Sequence, residues 1–347
     1  MKKLILLAAF SVFPLGVAFA APKYTAEKTT DHGIEIVRLA DTTNGVVVKI
    51  APSVGNRLYE MKVHGKDVLN TGPEDPADFR KTIGSGGIPF LAPWANRLGE
   101  KGFWANGKDY TFNMTLGNVR GGDVPIHGLL NNSSLWELVE FKADGHSAYI
   151  KSKLTFWKYP DLMANWPFAH EYVMTYRLSG GVLEVQLDVT NLSTEPMPMA
   201  LGFHPCFSVP DADRDQWSAT IAATKMVVAD KNLVSTGELK PIPMPSSTFM
   251  VKDYSLDTGF TDFQRDAEDK AHFSLTAGGK TVEEIFGPKY PAAQIYIPPG
   301  RQTVCIEPMA GITNSPNLNH QGKYPSLQSV APGTTWTESF WIRSSGI

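Results

Sequence analysis

Apolar and polar residues alternate strictly through Leu183-Glu184-Val185-Gln186-Leu187-Asp188-Val189, the period of a strand with one buried face. Gly180-Gly181 supplies a turn before it, so Met174 to Leu178 is predicted as its hairpin partner. Val46-Val47-Val48 predicts a more fully buried strand, and Gln294 to Ile297 another that stops at Pro298-Pro299-Gly300. In the last segment, Trp336, Glu338, Phe340 and Ile342 alternate with Thr337, Ser339 and Trp341. With 30 Gly and 25 Pro in 347 residues, breakers recur too often for long helices. Charged residues make up 19%, below the usual quarter or so, which argues against both disorder and long surface helices. The expected fold is all-β, two antiparallel sheets packed face to face as a large sandwich. Asn-Arg-Leu occurs at Asn56 and Asn96, each time followed about ten residues later by Gly-Lys-Asp. That predicts similar local hairpins rather than a repeat array. Pro241 to Ser247 is Pro-rich, but no shift of composition marks a linker, and residues 21–347 are expected to form one domain.

Lys2 and Lys3 precede an apolar run from Leu4 to about Ala18, and Ala18-Phe19-Ala20 fits a small-x-small cleavage site. Residues 1–20 are therefore expected to be a cleaved export signal, with the mature chain periplasmic or secreted. The run is short for a membrane span and no later one approaches about 20 residues, so no stable membrane anchor is expected. An oxidising compartment leaves Cys206 and Cys305 two states, a disulfide or two buried thiols. Two cysteines cannot build a multi-Cys zinc site, and no histidine pair has His-x3-His spacing, so no metal is expected. The formal net charge is -3 and no basic run exceeds a pair, which points away from nucleic acid.

Among the 8 His, His32, His64, His146 and His272 lie in polar surroundings and read as solvated. His170 begins a strand and reads as structural, and His320 sits in a polar, Asn-rich stretch. His204 differs, being a polar ring among apolar neighbours in Leu201-Gly202-Phe203-His204-Pro205-Cys206-Phe207. Glu307 ends the apolar run Thr303-Val304-Cys305-Ile306, where a carboxylate is rarely buried without a partner. Strand parity puts Cys305 and Glu307 on one face, with Val304 and Ile306 on the other. Both His204 and Glu307 precede a proline, which holds the backbone extended. Ile126-His127-Gly128 pairs a histidine with a residue that permits close backbone approach, and Pro93-Trp94-Ala95-Asn96-Arg97 offers an amide and a guanidinium.

Taken in order, Pro-Trp-Ala-Asn-Arg at 93–97, His-Gly at 127, Gly-Phe-His-Pro-Cys-Phe at 202–207 and Glu-Pro at 307 resemble the aldose 1-epimerase (galactose mutarotase) family. Supporting matches are Phe103 to Tyr110, Trp166-Pro167-Phe168, Asn191, Asn314 to Asn317 and Ala331-Pro332-Gly333, so the resemblance runs from about Val46 to Ile342. It implies a galactose mutarotase-like supersandwich and an isomerase that needs no cofactor. The substrate would be a small sugar, and the protein a monomer or homodimer. The sequence departs from the family where Cys206 replaces a common Tyr, and where Ala310 stands near a frequent Thr. The sugar-binding aspartate has two candidates, Asp257 and Asp262, of which Asp257 reproduces the Asp-x-x-Phe spacing.

Interconverting α and β anomers requires ring opening, with one proton removed from O1 and another given to the ring oxygen. One base and one acid on opposite sides of the acetal do this. The resemblance assigns the base to Glu307. A histidine has an ordinary pKa near about 6.5 and is about half-charged near neutral pH, so His204 suits the acid. The resemblance places His127 as a second donor near the ring oxygen, and Arg97 and Asp257 on ring hydroxyls. Trp94, Phe103, Trp104, Trp166 and Phe207 are candidate flat faces for sugar rings, though most aromatics must be core. A hexose-6-phosphate epimerase, a glycosidase using Glu307 with Asp257, and a non-catalytic carbohydrate-binding protein are the alternatives.

Overall fold

The computed structural model describes residues 22–69, 72–81 and 86–347. The expected export signal, residues 1–20, lies outside them. Three antiparallel sheets dominate. The N-terminal one is a five-stranded meander, Tyr24–Asp31, Ile34–Asp41, Val46–Ala51, Arg57–Val63 and Lys66–Asp67. A nine-stranded sheet carries at its centre Lys280–Phe286, Thr335–Ser345, Val182–Asn191 and His170–Ser179 in that order. An eight-stranded sheet includes Leu256–Phe263, Ala292–Ile297, Val304–Met309, Gly202–Phe203 and Phe90–Leu91 in sequence across it, with Cys206–Phe207 also paired to Val304–Met309. Among the described residues the α-helices are one short turn, Pro160–Met163, and Ser315–His320. The dense Gly and Pro punctuation accounts for that.

The alternating patterns bury the faces that they predict. Leu183, Val185, Leu187 and Val189 face the core, paired with Leu178, Tyr176, Met174 and Tyr172 across the predicted hairpin. Trp336, Glu338, Phe340 and Ile342 point inward on the last strand. One hydrophobic cluster joins all three sheets; Phe203 meets Phe340 at 5.0 Å and Phe263 meets Phe273 at 5.2 Å between the eight- and nine-stranded sheets. Such offset or edge-on aromatic pairs add to what area burial alone provides. The two Asn-Arg-Leu segments do form similar local structure. Asn56 and Asn96 both adopt positive φ, and both Gly-Lys-Asp runs open the second strand of a hairpin after a left-handed residue pair, His64-Gly65 and Asn106-Gly107.

Cys206 and Cys305 form a disulfide that bridges a sequence separation of 99 residues. Removing both cysteines together is expected to lower the unfolding free energy by about 4–5 kcal/mol, the loop-entropy value for a closure of this length. A thermal melt of the C206A/C305A variant beside the parent, without reductant, checks it. An unchanged Tm would contradict it.

Candidate active site

The five residues singled out in the sequence come together. Arg97, His127, His204, Asp257 and Glu307 line one cavity of about 190 Å³, with Asn96, Ile126 and Tyr296 completing the wall. The eight-stranded sheet brings them there. Glu307 lies on Val304–Met309, Asp257 two strands away on Leu256–Phe263, and Gly202–Phe203, paired to both Val304–Met309 and Phe90–Leu91, delivers His204. The His204 backbone N–H donates to the Pro89 carbonyl at 3.1 Å, fixing the residue at the sheet end.

His204 Nε2 stands 3.2 Å from Glu307 Oε1. The two groups are in contact side by side. The Glu307 residue is 1% exposed and its Oε2 has no partner, while the His204 side chain keeps 12% of its surface, its opening to the cavity. Burial, reinforced by the negative charge of Asp257, pushes the Glu307 carboxyl well above the usual carboxylate range, and Arg97 opposes this. Burial also pushes the His204 imidazole down, to about 4. Both groups are thus driven toward their neutral forms, a carboxylic acid against an imidazole. Perturbed groups that face a cavity make it a candidate functional site.

His127 approaches His204 edge-on, with ring centroids 5.4 Å apart. It is held at φ 60, and its buried Nδ1 has no partner. Positive φ is uncommon for such a residue and costs of order 1–3 kcal/mol, a strain that concentrates at functional sites. Burial, then His204, hold its imidazole well below the ordinary value. Gly128 is explained by the chain itself. A Cβ there would come within 2.1 Å of the Ala92 carbonyl oxygen, because the segment leading to Asn96 and Arg97 packs directly against it.

Asn96, also left-handed, turns Arg97 into the cavity, since its Oδ1 accepts from the Arg97 backbone N–H at 2.9 Å and from Nη1 at 3.1 Å. Arg97 Nη2 is 3.6 Å from Asp257 Oδ2, and Gln294 Nε2 donates to Asp257 Oδ1 at 2.6 Å. Asp262 does not join them. It sits at an exposed positive-φ position with its carboxylate on the Thr224 hydroxyl. Four of the five aromatics considered as sugar platforms are core instead: Trp94, Phe103, Trp166 and Phe207 are buried, and Phe103 stacks on Trp166 at 3.9 Å. Trp104 stacks on His320 at 3.7 Å. The ring that does line the cavity, Tyr296, was missed, as was Gln294. Both sit on Ala292–Ile297, where Tyr296 pairs with Asp257 and Gln294 with Glu307, and a lone glutamine in an apolar strand was the available signal.

The family model described as aldose 1-epimerase matches residues 35–343. Among solved structures, the chain is similar to a galactose mutarotase-like protein from Clostridium acetobutylicum (23% identity, covering 93% of this chain and 98% of that one, TM-score 0.82). It is also similar to galactose 1-epimerase from Lactobacillus acidophilus NCFM (14% identity, 94% and 99% covered, TM-score 0.73). An aldose epimerase homologue from C. elegans is similar at 16% identity, with 87% and 96% covered and a TM-score of 0.67.

Proposed function

The chain belongs to the aldose 1-epimerase family of isomerases, with mutarotase-type activity, and from that premise we propose that it is an exported enzyme interconverting the anomers of free hexoses, with Glu307 as base and His204 as acid. The observation that carries this reading is the 3.2 Å contact between Glu307 Oε1 and His204 Nε2 at the cavity wall. The two oxygens that exchange protons in mutarotation, O1 and the ring oxygen, are bonded to one carbon. A base and an acid in contact with each other suit that pair of neighbouring atoms.

In the working form the pair's one proton has passed across the 3.2 Å contact from Glu307 Oε1 to His204 Nε2. The Glu307 carboxylate takes the O1 proton as the bond from C1 to the ring oxygen breaks. The bond electrons go to the ring oxygen, which takes a proton from His204 Nε2. Rotation about C1–C2 in the open-chain aldehyde presents the other face of the carbonyl. On closure Glu307 returns its proton to O1 and His204 recovers the one it gave. His127 supports the ring oxygen, while Arg97 and Asp257 orient ring hydroxyls, with Gln294 bracing Asp257. The cavity of about 190 Å³ suits one monosaccharide, being smaller than the ~300 Å³ and upward of drug-sized pockets. Among the described residues, its only lining Lys or Arg is Arg97, which already faces Asp257, and that favours a neutral sugar over a sugar phosphate.

The optical rotation of freshly dissolved α-D-glucose and α-D-galactose tests this, measured with purified mature protein. Accelerated relaxation of either is the expected result; no acceleration of either would overturn the free-hexose reading. Asp257→Asn is expected to raise KM about tenfold to a hundredfold with kcat much less changed, since a charged hydrogen bond is worth about 1.5–3 kcal/mol. Steady-state kinetics on the same sugar read that split.

A further inference from the structure

This inference rests on the proton-transfer roles given above to His204 and Glu307. Cys206 lies two residues after His204, and Cys305 two residues before Glu307. They stand directly opposite each other where Cys206–Phe207 pairs with Val304–Met309, joined as a disulfide. Alternate residues of a strand share a face, so the bond lies on the same face as Glu307, one repeat along the strand. Cys206 Sγ is 3.5 Å from His204 Nδ1. A disulfide sulfur bears no proton, so in that contact only Nδ1–H can donate. That leaves Nε2, the nitrogen facing Glu307, as the one that gains and loses a proton.

We propose that the Cys206–Cys305 disulfide is a positioning device of the active site: it clamps the histidine segment to the glutamate strand and, as a proton-free acceptor, holds His204 in the tautomer whose Nε2 faces Glu307. Nδ1–H is then kept through the whole cycle, in the imidazolium that protonates the ring oxygen and in the neutral ring that takes the proton back. Reduction by a dithiol puts two electrons and two protons into the bond, yields two thiols, and converts the dithiol to its own disulfide. The Cys206 S–H then donates to Nδ1, and the neutral ring carries its proton on Nε2. In that form Nε2 cannot accept the proton that ring closure returns, nor give up its own without forming an imidazolate. The site is therefore sensitive to redox state through its histidine.

The test compares the mature parent with C206A/C305A, without reductant and well below both Tm values. The readouts are kcat and KM for anomer exchange, and the nitrogen-15 histidine spectrum. The expected result is a kcat lower by about tenfold to a hundredfold, the scale of a modest misplacement, with KM little changed and the fixed Nδ1–H tautomer of His204 lost, to a mixture of tautomers in C206A/C305A and to Nε2–H in the dithiothreitol-reduced parent. A kcat within about twofold of the parent, or a His204 that keeps its Nδ1–H tautomer, overturns the inference and leaves the bond a structural staple. Where the double variant does not fold, the dithiothreitol-reduced parent gives the same readouts, its thiols counted after denaturation. A parent that turns over no sugar contradicts the catalytic reading instead; the histidine spectrum then still decides whether the disulfide sets the tautomer.

Discussion

Glu307→Gln is expected to lower kcat for anomer exchange by about 10² to 10⁴, the usual contribution of a positioned proton-transfer group. Glutamine keeps the shape and offers the same contact to His204, but its amide cannot take the O1 proton. Sugar affinity is expected to survive, because Arg97 and Asp257 hold each other and Gln294 independently of Glu307. Stability should move the other way. Burial raises the Glu307 pKa in the folded state, so folding favours its protonated form. That preference supports the fold below the unfolded carboxyl's pKa and is lost as pH rises through the folded one, so near neutrality the buried carboxyl weakens the fold. The substituted amide is uncharged at every pH, so the variant is expected to give a Tm equal to or above the parent's, a trade-off common at active sites. A variant that loses activity and stability together would contradict this account of the residue.

His204→Asn is expected to cost a similar factor, about 10² to 10⁴ in kcat. Asparagine still donates a hydrogen bond but transfers no proton. The pair works while it holds one proton between its two members. With the imidazole driven down to about 4, kcat/KM is expected to fall on the acid side near that pH, where the pair takes up a second proton. The alkaline limb lies well above the ordinary carboxylate range, where the raised Glu307 surrenders the last proton. The pH dependence of kcat/KM reads both limbs. His204→Asn should abolish the acid limb that belongs to the imidazole. A profile of the parent that is flat from acid to neutral pH would contradict the pairing.

Much of this was legible because the sequence writes short-range physics plainly. The hairpin of His170–Ser179 with Val182–Asn191 follows from strict alternation around Gly180-Gly181, and its register needs nothing beyond the turn. Glu307 and His204 stood out because charged or polar rings are costly in apolar runs. What was not legible depends on long-range register. The side-by-side contact of His204 with Glu307 arises only because Gly202 pairs with Met309 and Cys206 with Cys305. The same pairing decided between a disulfide and two thiols. Tyr296 enters the cavity because it pairs with Asp257 across strands. The aromatic platforms were misassigned because composition cannot tell a stacked core ring from an exposed one; Trp94 on Phe112 at 4.8 Å is such a core pair.

The most direct test of the central claim follows a heavy-oxygen label placed on O1 of whichever hexose the purified protein turns over. Ring opening through Glu307 and His204 breaks the bond to the ring oxygen and leaves O1 attached to C1 throughout. The isotope shift of the C1 carbon resonance, read while α and β anomers interconvert, is therefore expected to show the label retained over many anomer exchanges. Loss of the label at the rate of anomer exchange would mean that O1 departs and water replaces it, and would contradict the ring-opening mechanism.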